Sequence, residues 1–145
     1  MQFQHLDITV FCDTKNTVRK EYYDDFEDKH VVGFSFGRKT KITIAYEIID
    51  NDLYYGVAYL SLNQKTFNKK VGRTIAAERM QSQPEIIHLF NAELERIEYS
   101  GDAIGYIIKD LISSIEMNDP PTNFPDSWKR ISLYEPITVF SYSLD

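Results

Sequence analysis

Apolar and polar residues alternate along much of the first half of this chain, which is the pattern of strands with one buried face. In the clearest case, every second residue is large and apolar, at Ile42, Ile44, Tyr46 and Ile48. Turn-forming residues separate the alternating segments, because Asp and Asn tolerate the backbone of tight turns. The pattern predicts strands at 6–10, 31–36, 41–49 and 53–62, with turns at 37–40 and 50–52. Such short connections favour an antiparallel meander.

Apolar residues in the second half recur every three or four positions, which is typical of amphipathic helices. One helix is predicted within 65–82, capped by Thr66 and packed through Phe67, Val71 and Ile75. A second is predicted from Pro84 to Gly101, with an apolar face of Ile86, Ile87, Phe90, Leu94 and Ile97. A third, capped by Asp102, has an apolar stripe of Ile104, Ile107, Ile108, Leu111, Ile112 and Ile115. A last strand is predicted within 131–142.

These elements predict an α+β fold in which an antiparallel β-meander of the N-terminal half packs against two to three helices of the C-terminal half. The 145 residues carry 43% hydrophobic and 26% charged side chains, as expected for one soluble domain spanning 1–145. The lone Cys12 excludes an internal disulfide. No basic, apolar leader and no run of eighteen apolar residues occurs, so we expect a cytoplasmic protein without a membrane anchor.

Charge changes sign in one segment of this acidic chain, whose net charge is −6. Residues 65–82, KTFNKKVGRTIAAERMQS, carry five basic side chains and one acidic side chain, whereas the segments on either side are acidic. The overall charge argues against general binding to nucleic acid, which needs a broad basic face. A short basic segment is instead typical of a site for a small anion.

Helical spacing places Lys69, Lys70 and Arg73 on one face of the predicted helix and turns Arg79 away from them. Gly72 lowers helix propensity by up to about 1 kcal/mol relative to alanine, which suggests a close approach by a ligand or by another chain. One interpretation is a site for a phosphate-bearing ligand. The other is an ordinary solvent-facing helix in which Gly72 serves packing. The segment is not a phosphate-binding P-loop, since it lacks the GxxxxGK pattern.

The segment FNKKVGRTIAAER, preceded by YYGVAYLSLNQ, resembles a segment of small phage-encoded proteins with the pattern F-x-K-K-x-G-R-x-I-A-x-x-R. Among these are the phage anti-Thoeris sponges, which sequester cyclic ADP-ribose isomers and in some cases other cyclic nucleotides. The resemblance covers Tyr55 to Arg79 only. It implies an antiparallel sheet with flanking helices, a homo-oligomer, and a ligand held where subunits meet. The residues that match the pattern are Phe67, Lys69, Lys70, Gly72, Arg73 and Arg79.

Other residue types with chemical potential are scattered along the chain. His5, His30 and His88 follow no metal-binding spacing, and no GxSxG nucleophile motif occurs, so we expect neither a metal, nor a cofactor, nor an enzyme; a nucleotide hydrolase is the minority interpretation. Tyr55 and Tyr59 share a strand face, where they either pack in a core or stack on a base.

An acidic cluster gives an alternative function. Asp24, Asp25, Glu27 and Asp28 form either a solvated loop or charged edge strand, or a surface that docks a basic protein or mimics nucleic acid. The sequence therefore supports two hypotheses. The first is a non-enzymatic, oligomeric protein that captures a phosphate-bearing small molecule through Lys69, Lys70, Gly72, Arg73, Arg79, Phe67, Tyr55 and Tyr59. The second is an acidic phage inhibitor of a host protein.

Overall fold

The computed structural model describes residues 1–10, 17–35, 38–60, 66–117, 119, 123–125 and 140–144. Its strands are β1 (Gln2–Val10), β2 (Thr17–Tyr23), β3 (Lys29–Ser35), β4 (Arg38–Ile49), β5 (Asp52–Tyr59), β6 (Glu85–His88) and β7 (Phe140–Leu144). Its helices are α1 (Lys69–Ser82), α2 (Asn91–Ser100) and α3 (Ile104–Glu116). None of the helices in these ranges is both long and apolar enough to cross a membrane.

The central sheet has five strands in the order β6-β5-β4-β1-β7, and its neighbouring strands pair antiparallel. Strands β4 and β5 form a hairpin whose turn places Asp50 in the left-handed region, at φ 56°. Strand β1 lies between β4 and β7, with His5 opposite Thr43 and Asp7 opposite Lys41. Strands β2 and β3 pair with each other as a separate two-stranded sheet.

One face of the central sheet carries a core of large apolar side chains. Leu53, Tyr55 and Val57 of β5 point to this face, where they meet α2 and α3. The other members with exposures below a tenth are Leu6, Ile8, Ile42, Ile44, Leu89, Ile97, Ala103, Ile104, Ile107, Ile108 and Phe124. Burial of this much apolar surface is the dominant favourable contribution to the stability of the domain.

The opposite face of the sheet is covered by α1 through small side chains. Ala45 of β4 and Ala58 of β5 pack against Ala76 and Met80 of the helix. At Gly56, a Cβ atom would lie 2.3 Å from the backbone nitrogen of Met80, so only a glycine permits this approach. The domain therefore has three layers, with α1 on one side of the sheet and α2 and α3 on the other.

The predicted fold class is confirmed, because an N-terminal antiparallel sheet packs against C-terminal helices. The shared face of β4 is also confirmed, and so is the end of α2, where Gly101 has a φ of 72° and its N–H donates to the Ile97 carbonyl. Asp102 caps the next helix, since its carboxylate accepts the N–H of Gly105 at 3.1 Å. Parts of several predicted strands, at 36–37, 61–62 and 131–139, lie outside the described residues.

Several local predictions are wrong. Residues 38–40, predicted as a turn, belong to β4. The predicted helix from Pro84 begins only at Asn91, because Glu85–His88 pairs with β5 as β6. Ile87 packs on the core and Ile86 is exposed, which is the alternation of a strand. Pairing at the sheet edge thus overrides a helical spacing that this short apolar run also satisfies.

The buried face of α1 also differs from the prediction. Gly72, Ala76 and Met80 face the sheet, whereas Val71 is 51% exposed. The helix lies so close to the sheet that two of the three residues in its contact stripe, Gly72 and Ala76, are small, and the third is Met80. The cap is Asn68 and not Thr66, since the Asn68 side chain accepts the N–H of Val71 at 3.1 Å.

Candidate anion site at the start of helix α1

The first turns of α1 carry the exposed cations that the sequence singles out. Lys69 and Lys70 are the first two residues of the helix, Arg73 follows one turn later, and no acidic residue lies in the first turn. The N-terminus of a helix carries the positive end of its dipole, which favours anions there and disfavours cations. Three cations at this end therefore concentrate positive charge where the helix backbone already attracts an anion.

Gly72 lies directly over the sheet. A Cβ atom at this position would be 2.5 Å from the Thr43 hydroxyl oxygen and 3.7 Å from the ring of Phe67. The close approach at Gly72 is made to strand β4 of the same chain, which is the packing role that the sequence offered as the alternative to an approach by a ligand or another chain. Its consequence for the site is that the first turns of α1 are held against the polar residues of β1 and β4.

His5 links the sheet to Arg73. Its Nδ1 lies 2.8 Å from the Oγ1 of Thr43, and its Nε2 lies 3.5 Å from the Nη1 of Arg73. A guanidinium only donates hydrogen bonds, so a neutral His5 accepts from Arg73 at Nε2 and carries its proton on Nδ1, from which it donates to Thr43. The arrangement holds the ring and favours the tautomer with the proton on Nδ1.

Phe67 is the aromatic member of this cluster. Its ring meets that of His5 edge to face, with centroids 5.8 Å apart and an interplanar angle of 80°. The ammonium of Lys41 lies 5.8 Å from the centroid of Phe67 and also pairs with the carboxylate of Asp7. The surface beside the start of α1 thus combines basic groups from a helix and a strand with two aromatic rings. We call His5, Lys41, Phe67, Lys69, Lys70 and Arg73 the α1 cluster.

Arg79 belongs to the other end of the helix. It lies six positions after Arg73, which is about 9 Å along the helix axis. Its Nη1 donates to the carbonyl of Val57 at 2.8 Å. This part of β5 lies beyond the four residues that pair with β6, so Arg79 covers a sheet edge. The structure places it apart from Arg73, as the helical spacing indicates.

Tyr55 and Tyr59 lie on the opposite face of the sheet from α1. The hydroxyl of Tyr55 donates to the Asp110 carboxylate at 2.7 Å, which ties β5 to α3. Burial is the largest cause of the raised pKa of Tyr55, and the hydrogen bond to Asp110 raises this pKa further. Tyr59 meets Phe124 edge to face at 5.6 Å, and burial likewise raises its pKa. Both tyrosines pack in the core, so the fold does not bring them together with the lysines.

Of the eight residues that the sequence proposes for the site, the structure brings together Phe67, Lys69, Lys70, Gly72 and Arg73. Sequence reasoning missed His5, Lys41 and Thr43. A usable signal was present, because these polar residues occupy alternate positions on strands whose other positions are apolar. Only the pairing of β1 with β4 shows that they share a surface.

A cleft of about 400 Å³ opens elsewhere, beside the core face. Its floor includes Ile48, Ile97 and Ala103, its rim includes Glu47 and Glu98, and no residue of the α1 cluster lines it. Tyr46 at this cleft donates to the side chain of Gln2 at 2.8 Å. Within the described part of the chain, no three His, Cys, Asp or Glu side chains are grouped to hold a metal ion.

The acidic cluster lies at the tip of the hairpin formed by β2 and β3. One carboxylate oxygen of Asp24 accepts the N–H groups of Phe26 and Asp28, each at 2.9 Å, and Glu27 adopts a φ of 61°. Asp24 thus shapes the turn. Phe26 is 86% exposed and Asp25 and Glu27 point to solvent, so the tip presents an aromatic ring among carboxylates.

Comparisons with known proteins return no match for this chain, whether to a family model, to a curated protein or to a solved structure.

Proposed function

We propose that this protein is a non-enzymatic binding protein that captures a phosphate-bearing small molecule at the α1 cluster. The observation that carries the proposal is the placement of Lys69, Lys70 and Arg73 in the first turns of α1, with no acidic residue there. Cations at the positive end of a helix oppose its dipole, and a bound anion relieves that opposition. The resemblance of the same segment to phage anti-defence sponges supports a cyclic nucleotide or a cyclic ADP-ribose isomer as the ligand.

The cations differ in the roles we assign to them. Arg73 offers a planar pair of donors to a phosphate, while Lys69 and Lys70 act as point charges at the helix start. Phe67 offers an aromatic edge beside them. Arg79, Tyr55 and Tyr59 are not assigned to this cluster, because the sheet or the length of the helix separates them from it.

Calorimetry tests the proposal, with 3′,5′-cyclic AMP, 3′,5′-cyclic GMP and cyclic ADP-ribose as separate titrants. We expect Arg73→Ala and Lys69→Ala each to weaken binding by about tenfold or more, since a hydrogen bond to a charged group contributes about 1.5–3 kcal/mol. Lys109→Ala is the matched control, because Lys109 is an exposed cation on α3. No binding to any of the three ligands, or equal affinity in Arg73→Ala, contradicts the proposal.

The absence of catalysis is a separate part of the proposal. After prolonged incubation with the protein, each nucleotide should be recovered unchanged by chromatography. Hydrolysed or rearranged product that is absent from a protein-free control would instead establish an enzyme.

We also propose that the protein is a homo-oligomer in the cytoplasm of a host cell. Val71 is 51% exposed beside the cations of α1, and Phe90 is 78% exposed, so apolar surface is available for association. Light scattering at several concentrations measures the mass. A strictly monomeric protein at all concentrations contradicts this part.

A second candidate function is favoured by the hairpin tip. Phe26 at 86% and Tyr23 at 67% exposure stand among carboxylates, a combination suited to a basic protein partner. The test replaces Asp25, Glu27 and Asp28 by their amides and leaves Asp24 to shape the turn. Retention of the same host protein by this variant and by the original protein in pull-down experiments would contradict an acidic inhibitor.

A further inference from the structure

His5 lies where a bound anion would meet both the helix and the sheet. Its Nε2 is 3.5 Å from the Arg73 guanidinium, and its Nδ1 is fixed by Thr43 at 2.8 Å. Its ring is also held edge to face by Phe67. The imidazole therefore keeps one nitrogen on the side of Arg73, which is exposed at the surface.

The contact between His5 and Arg73 depends on the protonation state of the imidazole. A neutral ring accepts from the guanidinium, whereas a protonated ring offers only donors and places a second positive charge beside it. Two cations at this distance repel each other unless an anion lies between them. Protonation of His5 and occupation of the site by an anion therefore favour each other.

Among the described residues, charged groups from three elements lie around His5. Arg73 faces His5 from α1, while Lys41 and Asp7, on β4 and β1, form an ion pair with each other. The carboxylate of Asp7 is thus engaged by Lys41. No acidic side chain is present in the first turn of α1. Arg73 contacts the imidazole directly, with its Nη1 3.5 Å from Nε2.

We propose that His5 is a further binding residue of the α1 cluster, which positions Arg73 when neutral and joins it in holding an anion when protonated. Anion binding then takes up a proton at His5. This inference rests on the proposed function for its ligand, but the geometry that it requires exists without one. Its consequence is a site that binds more tightly as the pH falls from 8 to 5, the range in which histidine changes charge.

The first test needs no ligand. Nitrogen-15 NMR of the imidazole should show the proton on Nδ1 at pH 8. Arg73→Ala should raise the pKa of His5, because it removes a neighbouring positive charge, and Lys109→Ala should leave that value unchanged. A proton on Nε2, or the same titration midpoint in Arg73→Ala and in the original protein, overturns the proposal whether or not any nucleotide binds.

The second test uses inorganic sulfate, whose charge does not change between pH 5 and pH 8. Amide shifts of α1 should report about tenfold tighter sulfate binding at pH 5 than at pH 8, the size of one added charged hydrogen bond. His5→Gln should abolish that difference, while His88→Gln, which alters a histidine with an 83% exposed side chain on β6, should retain it. A pH-independent affinity in the original protein, or an undiminished difference in His5→Gln, overturns the proposal. Sulfate binding with this pH dependence but no binding of the three nucleotides would reject the proposed function alone.

Discussion

The two faces of the central sheet carry side chains of different sizes. Toward α2 and α3, the sheet buries large side chains such as Leu53, Tyr55 and Ile44, all fully inaccessible to solvent. Toward α1, the contact is made by Gly56 and Ala58 of the sheet and by Gly72 of the helix. The first face contributes apolar area, and the second contributes close approach between backbones.

Because of this difference, the core face contributes most of the stability, whereas the α1 face positions the proposed binding site. A face of large apolar side chains loses free energy of unfolding when atoms are removed, because a cavity remains. A face of glycine and alanine has few atoms to remove and is instead sensitive to atoms that are added. Its tight contact holds the first turns of α1 against His5 and Thr43, and Arg73 in these turns contacts His5.

The largest expected loss of stability comes from truncation on the core face. Ile107→Ala removes a fully buried side chain of α3 and should lower the free energy of unfolding by about 4 kcal/mol. Urea denaturation measures it. Ala76→Gly is the contrast on the α1 face, where the loss of one buried methyl group and of helix propensity should together cost about 2 kcal/mol. Equal losses for the two variants would contradict the distinction between the faces.

Added atoms should have the opposite effect and destabilise the α1 face more than the core face. Gly56→Ala would place a Cβ atom 2.3 Å from the Met80 nitrogen and 2.6 Å from the Ala76 carbonyl oxygen, and both are backbone atoms that cannot rotate away. We expect a loss of about 3 kcal/mol in urea denaturation. Val57→Ile adds one methyl group on the core face and serves as the control. A neutral Gly56→Ala would show that the helix does not lie this close to the sheet.

Gly72→Ala should have a smaller effect, because the Cβ atom meets the Thr43 hydroxyl rather than backbone. The clash outweighs the gain in helix propensity, so we expect a net loss of about 1–2 kcal/mol. Thr43→Ala in the same chain removes the obstructing oxygen. The double variant should therefore lose less stability than the sum of the two single variants, and strict additivity would indicate that the two residues do not touch.

The smallest effect concerns a polar contact within the core face. Tyr55→Phe deletes the hydrogen bond to Asp110 and should cost about 1–2 kcal/mol at pH 7. Because the pKa of Tyr55 is raised in the folded state, the unfolded chain ionises first as the pH rises above 10. The unfolded state then binds fewer protons, so stability falls with rising pH. Tyr55→Phe should weaken that alkaline loss, and an identical decline in both proteins would refute the assignment.

The sequence predicts the elements better than it predicts their arrangement. Alternation along β4 and the apolar stripe of α3 identify the core face, because each buries a continuous side of one element. The sequence pattern does not show that β1 pairs with β4, since this pairing joins distant segments. The proximity of His5 to Arg73 therefore could not be predicted. The buried stripe of α1 is also missed, because burial of Gly72 and Ala76 follows from close approach and not from hydrophobicity.

The division between the faces is tested most directly by mapping where an anion binds. Inorganic pyrophosphate added to nitrogen-15-labelled protein should shift the amide signals of Asn68 to Arg73, His5 and Thr43, and leave those of α2 and α3 in place. The same titration of Arg73→Ala should show these shifts strongly reduced, while Lys109→Ala should reproduce them. Shifts centred on α2 and α3, or no shifts at all, would contradict the account.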